Sequence, residues 1–294
     1  MIQMNRSKLI LLIGIPGSGK TNYAQQYMNF HDNTIHLSSD ATRKELWGDE
    51  SIQGDHTEVF SLMKSRAVEA LNNGKNVLYD ATNICRKDRA DIISSCPRFA
   101  KVEAHVVWAP IEDCIRRDAA RERTVGKEVI DRILKRFQAP FYDEGIDEIK
   151  VIFSVAFGHK YYRDKVFIDM DVSHDNPHHT LSIKDHCAKA CEYARQLDDV
   201  DDDVIAAAVY HDIGKPYVKA FVDSKGNPCE TAHYYQHQCV SAWMMYGFID
   251  ITPEAVWLVS THMDPFMNTK YYNKLPVYLK NKIDRLHECD LAAH

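Results

Sequence analysis

Two short stretches carry the residue types that handle phosphate. "GIPGSGKT" at 14–21 fits the pattern G-x-x-x-x-G-K-[ST] in full, with Gly14, Gly19, Lys20 and Thr21 at its defining positions. Glycines let backbone N–H groups turn inward around phosphate oxygens, and Pro16, Gly17 and Ser18 complete the loop. Lys20 supplies a point charge for the β- and γ-phosphates, and Thr21 a hydroxyl for Mg²⁺, so ATP and Mg²⁺ are the expected cofactors. The second stretch is "VYHDIGKP" at 209–216, where His211 and Asp212 end an apolar run. A buried imidazole needs a hydrogen-bond partner and a buried carboxylate needs a cation; one metal meets both needs. His186, His237, His262 and Asp290 lie in or at the ends of neighbouring helical segments and extend the candidate ligand set, with Asp284 a weaker rival to Asp290.

Other residues have roles compatible with these two chemistries. Asp40 in "LSSDATRKEL" (37–46) follows a strand pattern, where a carboxylate can take the proton of an acceptor hydroxyl. Arg43, one helical turn on, can hold an acceptor phosphate, and Asp80 or Asn83 of "DATN" can face the acceptor. Arg117, Arg121 and Arg123 can close over ATP phosphates as a lid. Lys215 can steady a phosphate near the His–Asp pair. His178 and His179 either reach the scissile phosphate or form a loop entry, and His233, four residues before His237, is expected to share its helix face. "VFIDMDVS" (166–173) resembles the hhhhDxDx[TV] motif of haloacid-dehalogenase-type phosphatases, a resemblance that would imply Asp169 as nucleophile and Asp171 as acid. The helical, His-rich sequence that follows does not suit that fold, and a plain strand ending in two carboxylates is expected instead.

The elements that must position these groups change character along the chain. "KLILLI" (8–13) reads as a strand buried on both faces, and 33–38, 76–81, 104–109 and 149–155 read as further strands. Helical patterns lie between them, notably 57–73 and 111–138, so the expected first domain (1–165) is α/β with a parallel sheet. Beyond it, helical patterns at 182–197, 203–210, 232–247, 253–263 and 276–293 predict an all-α second domain (166–294), and ten of the fifteen histidines lie from His174 onward. "DDVDDD" (198–203) reads as a solvated turn capping the next helix.

Bulk properties narrow the function classes. At 294 residues the chain is long enough for two domains. Its net charge of −6 excludes a polycation, so any nucleic-acid contact needs a local basic surface. Eight scattered cysteines without a CxxC pair argue against a disulfide framework or a zinc ribbon. "KLILLIGIP" is too short for a signal peptide, and no run approaches the roughly 20 apolar residues of a membrane helix; a cytoplasmic protein is expected.

Across residues 8–157, Gly14–Thr21, Asp40 with Arg43, Thr82–Asn83 and the arginines before "VIDRILKRF" resemble the 5′-hydroxyl polynucleotide kinase domain of bacteriophages. The resemblance implies Asp40 as general base, Arg43 on the acceptor phosphate and Arg123 on ATP, with Arg121 as rival because the lid spacing differs by one residue. Ala81 intervenes where that family often has an acid before Thr-Asn, which leaves Asp80's role open. Residues 174–294 are similar to the HD superfamily of metal phosphohydrolases in the order H…HD…H…H…D. That similarity implies one metal on His186, His211, Asp212 and Asp290, and a second helped by His237 and His262 with Asp212 bridging; Mn, Fe, Co, Ni or Zn would suit. Together the resemblances imply an enzyme healing RNA or DNA ends, with a polynucleotide ligase acting downstream. Two rivals stand beside it: a nucleoside or other small-molecule kinase joined to a nucleotide phosphohydrolase, and an ATP-gated binding module with a non-catalytic HD domain.

Overall fold

The computed structural model describes residues 6–50, 52, 54–156, 158–177 and 180–294. The chain forms two compact units, one of residues 1–130 with Pro140–Val155 and one of Asp131–Ala139 with Ala156–His294.

The first unit is built on strands β1 (Lys8–Ile13), β2 (Thr34–Ser38), β3 (Asn76–Asp80), β4 (Lys101–Trp108) and β5 (Glu148–Phe153). All neighbours pair parallel, in the order β2-β3-β1-β4-β5. Leu9 to Ile13 are fully buried, as a continuous apolar run in a doubly covered sheet must be. Crossovers run through α1 (Lys20–Asn29), α2 (Ser39–Trp47), α3 (His56–Asn72), α4 (Arg86–Ser95) and α5 (Ile111–Ala119), and α6 (Lys127–Leu134) begins in this unit and ends in the residues assigned to the second. The chain leaves β1 for β2, returns to β3 beside β1, then places β4 on the other side of β1. Strand order therefore reverses at β1, and the crevice beyond its carboxyl end is where such sheets bind ligands.

A buried polar network supports the opposite part of β4. Burial pushes the Glu103 carboxyl up, but Lys8 (2.8 Å), Lys150 (2.9 Å) and Lys101 (3.1 Å) together hold it well below the usual range. Beside it, buried His105 has Nδ1 2.8 Å from the Tyr23 hydroxyl and Nε2 3.3 Å from Glu103. Burial lowers the His105 pKa to about 4 from 6.5. Between those values the unfolded chain binds the extra proton, so stability falls as pH drops through that window, by at most about 1.4 kcal/mol for each pH unit crossed. Urea unfolding of the wild type is expected to lose midpoint between pH 6.5 and 4, and His105→Gln to flatten part of that loss. Equal slopes in the two proteins would remove His105 from the account.

The second unit contains α7 (His159–Asp169), α8 (Ile183–Ala194), α9 (Asp202–Tyr210), α10 (Lys215–Val218), α11 (His237–Met245), α12 (Pro253–Thr261), α13 (Asp264–Met267), α14 (Thr269–Tyr272) and α15 (Val277–Ala292). It is not all-α: β6 (Ala220–Val222) and β7 (Pro228–His233) form an antiparallel hairpin. Its turn is closed by Asp223, whose carboxylate accepts from the backbone N–H of Lys225 and Asn227, with Gly226 at φ +84°. The expected strand at 166–171 is instead the end of α7. Tyr162, Val166 and Met170 are buried at four-residue spacing while Ile168 is exposed, which is a helical and not a strand period. The acidic run behaves as expected at its end: Asp201 caps α9 by accepting from the Val204 N–H.

Candidate active sites

The loop from Gly14 to Gly19 joins β1 to α1 at the sheet's switch point. Gly17 and Gly19 hold φ of +79° and +101°, and a Cβ on Gly17 would run into the Cys114 carbonyl. Gly14 donates its N–H to Thr82 O (3.2 Å), Ser18 is buried inside the turn, and Pro16 is partly exposed on it. Lys20 donates to the carbonyls of Gly14 (2.7 Å) and Ile15 (3.2 Å), which keeps its ammonium over the loop. Burial lowers the Lys20 pKa, while Asp80 and Asp40 act against that. Thr21 stands exposed in the first turn of α1.

The flanking strands bring the acids and arginines to this loop. Ser38 caps α2, which sets Asp40 in its first turn with Arg43 donating to it at 2.7 Å. Asp80, the last residue of β3, is 8% exposed and accepts from His36 Nε2 at 3.1 Å. Asn83 is buried at φ +47°, and its amide donates to Leu12 O at 2.8 Å. Its loop is held by Arg89, fully buried, which donates to the carbonyls of Asn83 (3.0 Å) and Ile84 (3.1 Å) and twice to Glu144 at 2.7 Å. A buried bidentate pair of this kind fixes geometry, and nothing in the apparent polarity of "RKDRAD" marks Arg89 as buried. Arg117 is pinned by Ser154 (Nη1 to Oγ 2.9 Å, Nη2 to O 2.9 Å) and reaches Gly17 O at 3.4 Å. Arg121 is exposed and Arg123 pairs with Glu50 at 3.3 Å, so two of the three lid candidates stand on the loop between α5 and α6.

In the second unit the sequence-chosen ligands converge. His186 lies in α8, and His211 and Asp212 follow α9; His237 opens α11, His262 follows α12, and Asp290 is in α15. Ligand atoms of His186, His211, Asp212 and Asp290 lie within 4.8 Å of one another, as do those of Asp212, His237 and His262. Asp212 belongs to both groups: Oδ2 is 3.4 Å from His211 Nε2, and Oδ1 is 3.2 Å from His237 Nε2. Asp290 Oδ1 is 2.9 Å from His186 Nε2. The turn after α9 approaches α11 so closely that a Cβ on Gly214 would clash with the His237 carbonyl, while the Gly214 N–H donates to Ser241 Oγ at 2.8 Å.

The tautomers test whether cations fit. His211, His237 and His262 each turn Nδ1 to a backbone carbonyl: Ala208 (2.9 Å), Tyr234 (3.0 Å) and Val259 (2.8 Å). Carbonyls only accept, so each of these rings carries a proton on Nδ1 and turns Nε2 inward, where it is a lone-pair donor whenever the ring is neutral. His237 Nε2 and His262 Nε2 are 3.2 Å apart. Burial, with His237 and His211 adding, lowers the His262 pKa to about 3, so its ring is neutral. Two ring nitrogens at that distance hold either a shared proton or a cation between them. Burial also disfavours charge on His211, yet Asp212, Cys187 and Asp290 raise its pKa well above 6.5. Burial raises and Lys215 and His211 lower Asp212, leaving it well below the usual range, with Lys215 Nζ 2.5 Å from Oδ2. The imidazole–carboxylate donor set of the two groups suits one or two divalent transition metals.

Several neighbours differ from expectation. His233 ends β7 and stacks on Tyr235 (5.3 Å, 6°), so it does not share the helix of His237. The Tyr272 hydroxyl donates to Asp284 at 2.5 Å, and Asp284 is in neither ligand group. His178 and His179 lie outside the described residues. Asp169 accepts from Lys165 (2.8 Å) and Tyr217 (2.9 Å) in a helical setting, which leaves no phosphatase nucleophile there. His174 and His294 were not legible as neighbours of the centre, yet their rings lie 5.5 and 5.4 Å from His186.

Residues 9–140 match the family model described as an AAA domain. The transcription factor bHLH140 of Arabidopsis thaliana is 28% identical over 165 residues, 53% of this chain and 17% of that protein. Among solved structures, the Pnkp1/Rnl/Hen1 complex is similar at 27% identity and TM-score 0.36, covering 42% of each chain. A fungal RNA kinase is similar at 15% and 0.40, covering 52% of this chain and 78% of that one. A gluconokinase from Sinorhizobium meliloti is similar at 14% and 0.38, over 52% and 86%. The chain thus spans about a sixth of the curated relative and less than half of the first of these structures. Sequence match and loop geometry agree that residues 9–140 hold a P-loop domain of the kind that binds a nucleoside triphosphate. Among the described residues no helix is long and apolar enough to cross a membrane.

Proposed function

We propose that this protein heals nucleic-acid ends with two chemistries, ATP-dependent phosphorylation of a 5′-hydroxyl and metal-dependent hydrolysis of a 3′-phosphate or 2′,3′-cyclic phosphate. One observation carries the pairing: the chain holds a complete phosphate loop with an Asp40–Arg43 pair in the helix that follows β2, and a buried centre in which Asp212 is shared by two ligand groups. In the first unit, Gly14–Thr21 cradle the triphosphate of ATP with Mg²⁺, and Lys20 balances charge on the transferring phosphoryl group. Asp40 takes the proton of the acceptor hydroxyl, Arg43 holds the acceptor's phosphate, and Arg123 or Arg121 approaches from the loop after α5.

In the second unit, His186, His211, Asp212 and Asp290 hold one ion, and His237, His262 and Asp212 hold another. Such ions lower the pKa of a bound water and polarise a phosphate oxygen. The backbone carbonyls of Ala208, Tyr234 and Val259 keep three imidazoles oriented, and Lys215 exchanges its contact with Asp212 for one with the phosphate. The HD assignment of the second unit and a ligase as the enzyme that consumes the product belong to the same reading, with the domain division expected at 165 moved ahead of α7.

End-group analysis tests it. An oligonucleotide with 5′-OH and 3′-phosphate ends, or a 2′,3′-cyclic phosphate, is incubated with ATP and Mg²⁺ and separately with Mn, Fe, Co, Ni or Zn. A new 5′-phosphate and a lost 3′-phosphate are the expected result, for RNA, DNA or both. Phosphorylation of free nucleosides with no action on oligonucleotides would favour the small-molecule rival, and no turnover at either site would favour the binding module.

A further inference from the structure

The chain as a whole carries a charge of −6, but residues 265–283 contain Lys270, Lys274, Lys280 and Lys282 and no acid at all. The same stretch contains Phe266, Tyr271, Tyr272 and Tyr278. It begins three residues after His262 and ends seven before Asp290, so both of its ends lead to the metal-ligand groups. Large rings are normally turned inward, yet Phe266 is 58% and Tyr278 61% exposed. Lys270 and Lys274 are exposed between them, while Lys282 is occupied with Asp201 and Glu254. The Lys280 ammonium lies 5.9 Å from the centroid of the Tyr272 ring. Exposed rings interleaved with unneutralised lysines are what a single strand needs: a π-face for bases and cations for the phosphates between them.

We infer that residues 266–278, from α13 through α14 to the start of α15, form a track for single-stranded nucleic acid that delivers a 3′ end to the histidine–aspartate centre. Phe266 and Tyr278 stack bases, and Lys270 and Lys274 contact backbone phosphates. The inference rests on the hydrolase reading and names its substrate class: a polynucleotide end and not a free nucleotide. It also answers how a chain of net negative charge holds a polyanion, through one local surface.

The test uses the full chain loaded with Mn²⁺ and two substrates, a single-stranded oligonucleotide with a 3′-phosphate and the small diester bis-p-nitrophenyl phosphate. Phe266→Ala and Tyr278→Ala are expected to raise KM for the oligonucleotide roughly tenfold each. The pair Lys270→Ala, Lys274→Ala is expected to reduce the slope of log affinity against log salt by about 1.4. Hydrolysis of the small diester is expected to stay unchanged in all of them, and Tyr278→Phe to keep wild-type KM. Wild-type oligonucleotide kinetics in every variant would overturn the track and leave the hydrolase reading standing. A wild type that cleaves neither substrate would overturn the hydrolase reading and the track with it.

Discussion

Lys20→Ala is expected to reduce ATP-dependent labelling of a 5′-hydroxyl by roughly 10²–10³-fold or more, with hydrolysis at the histidine–aspartate centre unchanged. Lys20 is the sole ammonium placed in this loop by the G-x-x-x-x-G-K-T pattern, and its bonds to the Gly14 and Ile15 carbonyls keep it at the cradle. Among the described residues its ammonium bonds only carbonyls of the loop, so the substitution removes charge rather than fold. Lys20→Arg does not restore the activity if the role is that of a compact point charge, because the planar guanidinium cannot take the same place above Gly14. Asp40→Asn gives an independent comparison. It removes the proposed base at constant volume and is expected to cost roughly 10²–10⁴-fold in rate while leaving ATP binding intact. Radiolabel transfer from ATP to an oligonucleotide, measured beside nucleotide affinity, separates the two. Full labelling by Lys20→Ala would falsify the kinase assignment, whatever the second unit does.

How much of this was legible in the sequence depends on whether the signal was local. The phosphate loop was legible because its glycines answer a backbone demand that no other residue meets, at +79° and +101° of φ for Gly17 and Gly19. Strand β1 was legible because a doubly buried strand reads as an unbroken apolar run. The six candidate ligands were legible by type and order, since buried His and Asp are costly unless paired, and the structure brings all six to two groups sharing Asp212. What stayed hidden is non-local. Nothing near Arg89 announces that Glu144 will cover it, 55 residues on. His174 and His294 gain meaning only once α8 carries His186 between them. "VFIDMD" misleads because three apolar residues in a row satisfy a strand pattern, and only the wider spacing of Tyr162, Val166 and Met170 discloses a helix. The hairpin was masked by its brevity: three residues in β6 against six in β7, around a turn that the Asp-Ser-Lys-Gly-Asn sequence does encode.

Asp212→Asn is expected to abolish phosphoester hydrolysis and to strip both ions, whereas His262→Ala is expected to lose one ion and keep the other. The difference follows from the geometry of a single carboxylate. Oδ2 faces His186 and His211 at 3.6 and 3.4 Å, and Oδ1 faces His237 at 3.2 Å, so one side chain serves both ligand groups. His262 offers a ligand atom to the second group alone, with Nε2 3.2 Å from that of His237, although its ring also lies 5.7 Å from the His211 ring. Replacing the carboxylate by an amide keeps its volume but removes the charge that offsets the ions. It also leaves buried Lys215 without its anion at 2.5 Å, a loss of the order of 3–5 kcal/mol when one member of a buried pair is deleted. Thermal unfolding therefore accompanies the metal analysis, and Asp212→Asn combined with Lys215→Met separates the cost of an orphaned ammonium from loss of the ions. Metal content by elemental analysis after dialysis, read beside diester turnover, decides between one shared carboxylate and two independent sites. Retention of one full equivalent of metal by Asp212→Asn would show that Asp212 serves one group only, and the remaining ion would then sit on whichever imidazoles still hold it.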